Sequence, residues 1–133
     1  MIYIDDYAHH PREIEASLSS IREMWPAKRL TVAFQPHLYS RTNDFYPEFA
    51  KSLNLADQVI LLDIYPAREQ PIPGVTSKLI ADRLTVPFVR VTKEEFPEYV
   101  KENVKEGIFM TVGAGDIDRF IPVFTEMFNH PDC

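Results

Sequence analysis

Short apolar runs alternate with amphipathic stretches along this chain, and that alternation constrains its fold more than any other feature. Leu30–Phe34, Gln58–Leu62, Pro87–Val91 and Ile108–Val112 read as strands, with Ile2–Asp5 as the tail of a fifth. Helical patterns lie between them. Pro11–Trp25 puts Ile14, Leu18, Ile21 and Trp25 on one face, with Pro11 suited to the first turn and Glu13 and Glu15 near the positive amino end. Asn43–Leu55 spaces Phe45, Phe49 and Leu53 four apart, and its Pro47 is expected near the first turn or at a kink. Thr76 or Ser77 opens a helix through Leu84, Thr92 one through Val104, and Gly113–Asp116 a last one with Ile117, Phe120, Ile121, Phe124 and Phe128 on its apolar side. Strands alternating with helices predict an α/β fold with a parallel sheet covered on both faces.

The chain has 133 residues, and no internal boundary interrupts the pattern, so residues 1–133 read as one domain. Net charge is −6 with no basic stripe, which argues against nucleic acid as a partner. No apolar run has transmembrane length, and no signal peptide is recognised, so a cytoplasmic protein without membrane contact is expected. The single cysteine, Cys133, reads as an incidental terminal thiol.

Four polar segments each follow a strand: Asp5–His10, Gln35–Thr42, Asp63–Gly74 and Gly113–Asp116. In a parallel sheet all four gather along the carboxyl edge, where α/β proteins bind ligands. Asp5, Asp6, His9 and His10 have the chemistry of a metal chelate; the plainer alternatives are a helix cap for Asp6 and a solvated turn for the histidines. Arg41 offers a fork of donors for carboxylate or phosphate, with His37 beside it, or is a surface arginine near capping Ser40 and Thr42. Tyr7, Tyr39 and Tyr65 are the aromatics least committed to a core. Arg68–Glu69 reads as a solvated pair on a proline-stiffened loop. Gly113-Ala114-Gly115 lacks the third glycine of a dinucleotide fingerprint, and no phosphate-cradling G-x-x-x-x-G-K-[ST] loop occurs.

Taken in register, DDYAHHP (5–11), FQPHLYSRT (34–42), DIYPAREQPIPG (63–74) and GAGD (113–116) resemble the carboxyl-terminal domain of the Mur ligase family. The resemblance implies a Rossmann-like three-layer α/β sandwich with a mostly parallel sheet of about five to six strands. It also implies that an amino-terminal UDP-binding domain and a central ATPase domain belong to the same enzyme and are absent here. The QPH-x-Y-S-R-T string is similar to that of members joining L-alanine to UDP-N-acetylmuramate through an acyl phosphate, rather than of tripeptide-recycling relatives. By the same resemblance, Asp6 meets the ATP ribose and Tyr7 packs near the nucleotide. His9 and His10 face the reaction centre. His37 and Arg41 hold the alanine carboxylate, and Gly113, Ala114 and Gly115 line that pocket. ATP and magnesium belong to the full-length enzyme; the isolated domain is expected to be inactive, to bind ATP only weakly and to hold no metal. Leu38 stands where many members have arginine, and Arg68 where glycine is common. A stand-alone nucleotide- or amino-acid-binding module and a small metal-dependent hydrolase are the alternatives.

Overall fold

The computed structural model describes residues 1–128; Cys133 lies outside the described residues. Five strands, β1 (Ile2–Asp6), β2 (Leu30–Phe34), β3 (Gln58–Leu61), β4 (Phe88–Arg90) and β5 (Ile108–Val112), form one sheet in the order β1-β5-β2-β3-β4. Every pairing is parallel. The central strands β2 and β5 are buried at every residue, as strands covered on both faces must be, whereas β1 and β4 are edges.

Side-chain alternation divides the core in two. Leu30, Val32 and Phe34 of β2 and Ile108, Met110 and Val112 of β5 face α1 (Pro11–Met24), α2 (Tyr39–Leu53) and the one-turn α3 (Lys78–Ala81). Ala33, Ile60 and Phe109 face the other way, toward α4 (Phe96–Asn103), the 3₁₀ turn Asp116–Phe120 and α5 (Ile121–Phe128). That second core is largely aromatic: Phe124 meets Phe96 and Phe109 edge-on, each at 5.1 Å between ring centroids. The three-layer sandwich with a parallel sheet is therefore present.

Several element boundaries differ from expectation. α2 begins at Tyr39, a full turn before Asn43, so Arg41 lies on a helix and Pro47 sits in its interior rather than near its first turn. The helix expected through Leu84 is only one turn long, continued by i→i+3 bonds from Arg83 and Leu84. The helix expected from Thr92 starts at Phe96, after a turn in which Thr92 and Glu95 each accept the other's backbone N–H. The final helix is broken into a 3₁₀ turn and α5.

The strand order positions the site. β1, β2 and β3 are each followed by a helix on one face of the sheet, while β4 and β5 lead to helices on the other. Because β5 inserts between β1 and β2, the chain leaves neighbouring strands in opposite directions at its carboxyl end. Such a reversal opens a crevice between the diverging loops.

Candidate functional site

All four polar segments meet at this end of the sheet. The Gly113 N–H donates to the Asp6 carbonyl at 3.1 Å, and the Gln35 N–H to the Val112 carbonyl at 3.1 Å, so the loops after β1, β5 and β2 start side by side. The loop after β3 crosses to join them. Leu38 donates its N–H to the Tyr65 carbonyl and Tyr65 its N–H to the Pro36 carbonyl, each at 2.8 Å, a short parallel bridge between His37 and Tyr65.

The first wall is built at the start of α1. His10 is the N-cap, its Nδ1 accepting from the Arg12 N–H at 3.3 Å, while Glu13 reaches back to the N–H groups of His9 and His10. The cap is thus His10, not Asp6, and the histidine turn is a capping box rather than a merely solvated one. The His10 ring packs at 5.2 Å from Phe45. Asp6 accepts from the Ala8 N–H at 2.9 Å and from the Ser17 hydroxyl. Asp5 points to the other side of the sheet, where it accepts from Thr111 Oγ1 at 2.5 Å; Thr111 Oγ1 also lies 2.8 Å from the Tyr3 hydroxyl. Burial pushes the Tyr3 phenol up to about 12 and the Asp5 carboxyl above its usual range. Asp5, Asp6, His9 and His10 therefore do not converge as a chelate. Among the described residues no three His, Cys, Asp or Glu side chains gather to hold a metal.

The second wall carries imidazole and guanidinium. Arg41 Nη1 donates to His37 Nδ1 at 3.2 Å, and because arginine can only donate, the neutral His37 ring carries its proton on Nε2. Burial, Arg41 and His9 all hold the His37 imidazolium below its ordinary pKa, with Glu69 opposing weakly. The His37 ring stacks on Tyr65 at 5.8 Å and lies 6.2 Å from the ring of His9. His9 Nδ1 donates to the Tyr7 carbonyl at 3.2 Å, which leaves Nε2 of neutral His9 as a proton acceptor. Tyr7 itself is 62% exposed, an aromatic face open to a ligand beside His9. Tyr39 turns elsewhere, lining a cavity of about 220 Å³ with Asp63 and Val75.

The floor is the loop after β5. Gly115 sits so close to Tyr65 and Gln35 that an added Cβ would come within 2.7 Å of the Tyr65 Cβ and 2.5 Å of the Gln35 Oε1. Gln35, only 2% exposed, donates to Asp116 Oδ1 at 2.6 Å and accepts from the Ile117 N–H at 2.9 Å. Lys93 donates to the other Asp116 oxygen at 2.7 Å. Burial pushes the Asp116 carboxyl up, but the bonds from Lys93 and Gln35 outweigh it and hold the group below its usual range. Gln35, Ser17 and Lys93 were not singled out from the sequence, and nothing local to them marks these roles. Glu69 does not pair with Arg68 as expected; its carboxylate bonds Ser40 instead.

Among the described residues, His9, His37, Arg41, Tyr65 and Gly115 thus share one crevice, with Asp6 and His10 holding its near edge. Fold and rim together define a parallel α/β domain with a polar crevice at its topological switch point. Residues 1–116 match the family described as Mur ligase, glutamate ligase domain. The UDP-N-acetylmuramate–L-alanine ligase of Phocaeicola vulgatus is 51% identical over 97% of this chain, and that of Paenarthrobacter aurescens 51% over 92%. The chain spans 28% and 27% of those two proteins. Among solved structures, the UDP-N-acetylmuramate–alanine ligase of Thermotoga maritima superposes with a TM-score of 0.70 at 31% identity, over 96% of this chain and 26% of that one. The chain belongs to the Mur ligase family.

Proposed function

We propose that this chain is the carboxyl-terminal domain of a bacterial, cytoplasmic, ATP-dependent ligase that joins L-alanine to UDP-N-acetylmuramate in peptidoglycan precursor synthesis. Its part is to close over the ATPase domain of the same enzyme and present the amino acid; alone it is inactive. The observation that carries this reading is the Arg41–His37 pair. Its donors include the Nε2–H of His37 and the remaining N–H groups of Arg41, beside an imidazole that can accept a proton. A carboxylate held by those donors sets the amine of a small amino acid near His9 Nε2, and orienting two reactants in this way is a large source of rate. Names of relatives about half identical to this chain support alanine as the amino acid and UDP-N-acetylmuramate as the acceptor.

Tyr7 offers an exposed ring for the nucleotide, and Asp6, with two bonds already accepted, keeps lone pairs for a ribose hydroxyl. ATP supplies the activation of the acceptor carboxyl. The residues here do not fit magnesium, since Asp5 and Asp6 face opposite sides of the sheet, so the reading assigns the ion to the ATPase domain.

In the full-length ligase, Arg41→Ala is expected to raise the alanine KM by about 30-fold, the loss of a charge-assisted pair, and the ATP KM by less than about twofold. Steady-state kinetics with each substrate varied in turn checks this. Unchanged constants for both would remove the clamp.

A further inference from the structure

We infer that Glu69 is a positioning residue of the amino-acid clamp, fastening the α2 turn that carries Arg41 to the loop that carries Tyr65. The inference rests on the clamp reading above. α2 has no cap of its own: Leu38 occupies the N-cap position with φ 74° and ψ 137°, and its side chain caps nothing. A non-glycine residue at positive φ is strained and persists only where its surroundings over-determine it. Here the surroundings come from the loop after β3. Tyr65 brackets His37 with two backbone bonds, one of them accepted from the Leu38 N–H, and four residues on, Glu69 accepts the Ser40 N–H at 3.0 Å on one oxygen and the Ser40 hydroxyl on the other. Glu69 is presented by a tight turn in which its N–H donates to the Pro66 carbonyl at 2.9 Å and Ala67 takes φ 53°.

This carboxylate does the work of an N-cap supplied in trans. It has a second effect. A helix amino end is ordinarily a place for an anion, and the Ser40 N–H there is already occupied by Glu69. That leaves the side chains of His37, just ahead of the helix, and Arg41, next to Ser40 in its first turn, as the charged and imidazole donors for an incoming carboxylate. The Ser40 bonds also keep the Glu69 carboxyl below its usual range, so it stays ionised where an enzyme works at neutral pH.

The test is steady-state kinetics on the full-length ligase, varying L-alanine, ATP and UDP-N-acetylmuramate separately, with Arg41→Ala as the reference. Glu69→Ala is expected to raise the alanine KM about tenfold while the other two constants stay within about twofold. Glu69→Gln should recover to within about threefold of the parent, since an amide oxygen still accepts the Ser40 N–H and its NH₂ can meet the hydroxyl. If Glu69→Ala leaves the alanine KM unchanged while Arg41→Ala raises it, the positioning role is wrong and the clamp stands. A rise in all three constants together, unrescued by Gln, means general loosening and overturns the role as well. If neither variant moves the alanine KM, clamp and positioning fall together. Should Glu69→Ala not fold, Ser40→Ala removes only the hydroxyl arm; about a threefold rise in the alanine KM is expected, and no rise overturns the role.

Discussion

The two ends of the sheet use polar residues differently. At the amino end they close the fold on itself. Asp57 accepts from the Leu30 N–H at 2.8 Å and pairs with Arg22 at 3.0 Å, while Arg22 Nε donates to the Leu55 carbonyl. The Ile108 N–H donates to the Arg29 carbonyl, and Gly107 at φ 80° lets that strand start against Arg29. These groups find their partners within the fold. At the carboxyl end the internal bonds stop short. The Arg41 fork uses one nitrogen on His37, His9 keeps Nε2, and Tyr7 is exposed. One end uses its polar atoms to make the sandwich, and the other uses a few to aim the rest.

Two glycines test that contrast most severely. Gly107→Ala drives a Cβ to within 2.2 Å of the Arg29 carbonyl oxygen at a positive φ, and is expected to cost about 2–4 kcal/mol by denaturant unfolding. Any protein that survives should use alanine normally. Gly115→Ala meets Tyr65 and Gln35 and is expected to cost about 1–3 kcal/mol, but also to impair alanine use in the full-length ligase. A Gly115 variant with full activity, or a Gly107 variant with a raised alanine KM, would erase the distinction between the ends.

Charge gives finer tests. Arg22, and after it the Leu30 N–H, outweigh partial burial and hold the Asp57 carboxyl below its ordinary value. The stability it adds is present above the ordinary aspartate pKa of about 3.9 and is lost as pH falls through the lower folded value. Asp57→Asn, whose amide oxygen still accepts the Leu30 N–H, should cost about 1 kcal/mol at pH 7, allowing for solvent screening of a pair 28% and 39% exposed, and nearly nothing at the acid end of that window. Unfolding curves at the two pH values decide it; an equal cost at both would deny the ionic part. Asp5 has the opposite sign. Burial raises its carboxyl, so its ionised form weakens the fold as pH rises through the raised value. Asp5→Asn, which can still accept from Thr111, should therefore stabilise the fold slightly at pH 7, by no more than about 0.5 kcal/mol for a residue this exposed, with a small rise in Tm, and leave Tm unchanged under acid. A lower Tm at pH 7 would mean that the carboxylate is needed.

What could be read in advance follows from where each signal resides. Strands and α1 announce themselves because their period, proline and first-turn glutamate are local. The start of α2 is hidden because its cap comes from Glu69, distant in sequence, while Leu38 in the cap position gives no helix signal. Gln35 reads as one more polar residue after a strand until folding places Asp116 and the Ile117 N–H around it. His10 carries the reverse lesson: the family resemblance implied a place at the reaction centre, and the fold employs its ring as a cap.

Periodicity and loop chemistry, then, suffice for a parallel α/β sandwich with acids, imidazoles and a guanidinium after its strands, because alternation of facing and turn preference act over a few residues. They do not contain the strand order. That β5 lies between β1 and β2, opening a crevice where His9, His37 and Gly115 meet, is settled by which apolar faces can be buried together, and that is a property of the whole chain.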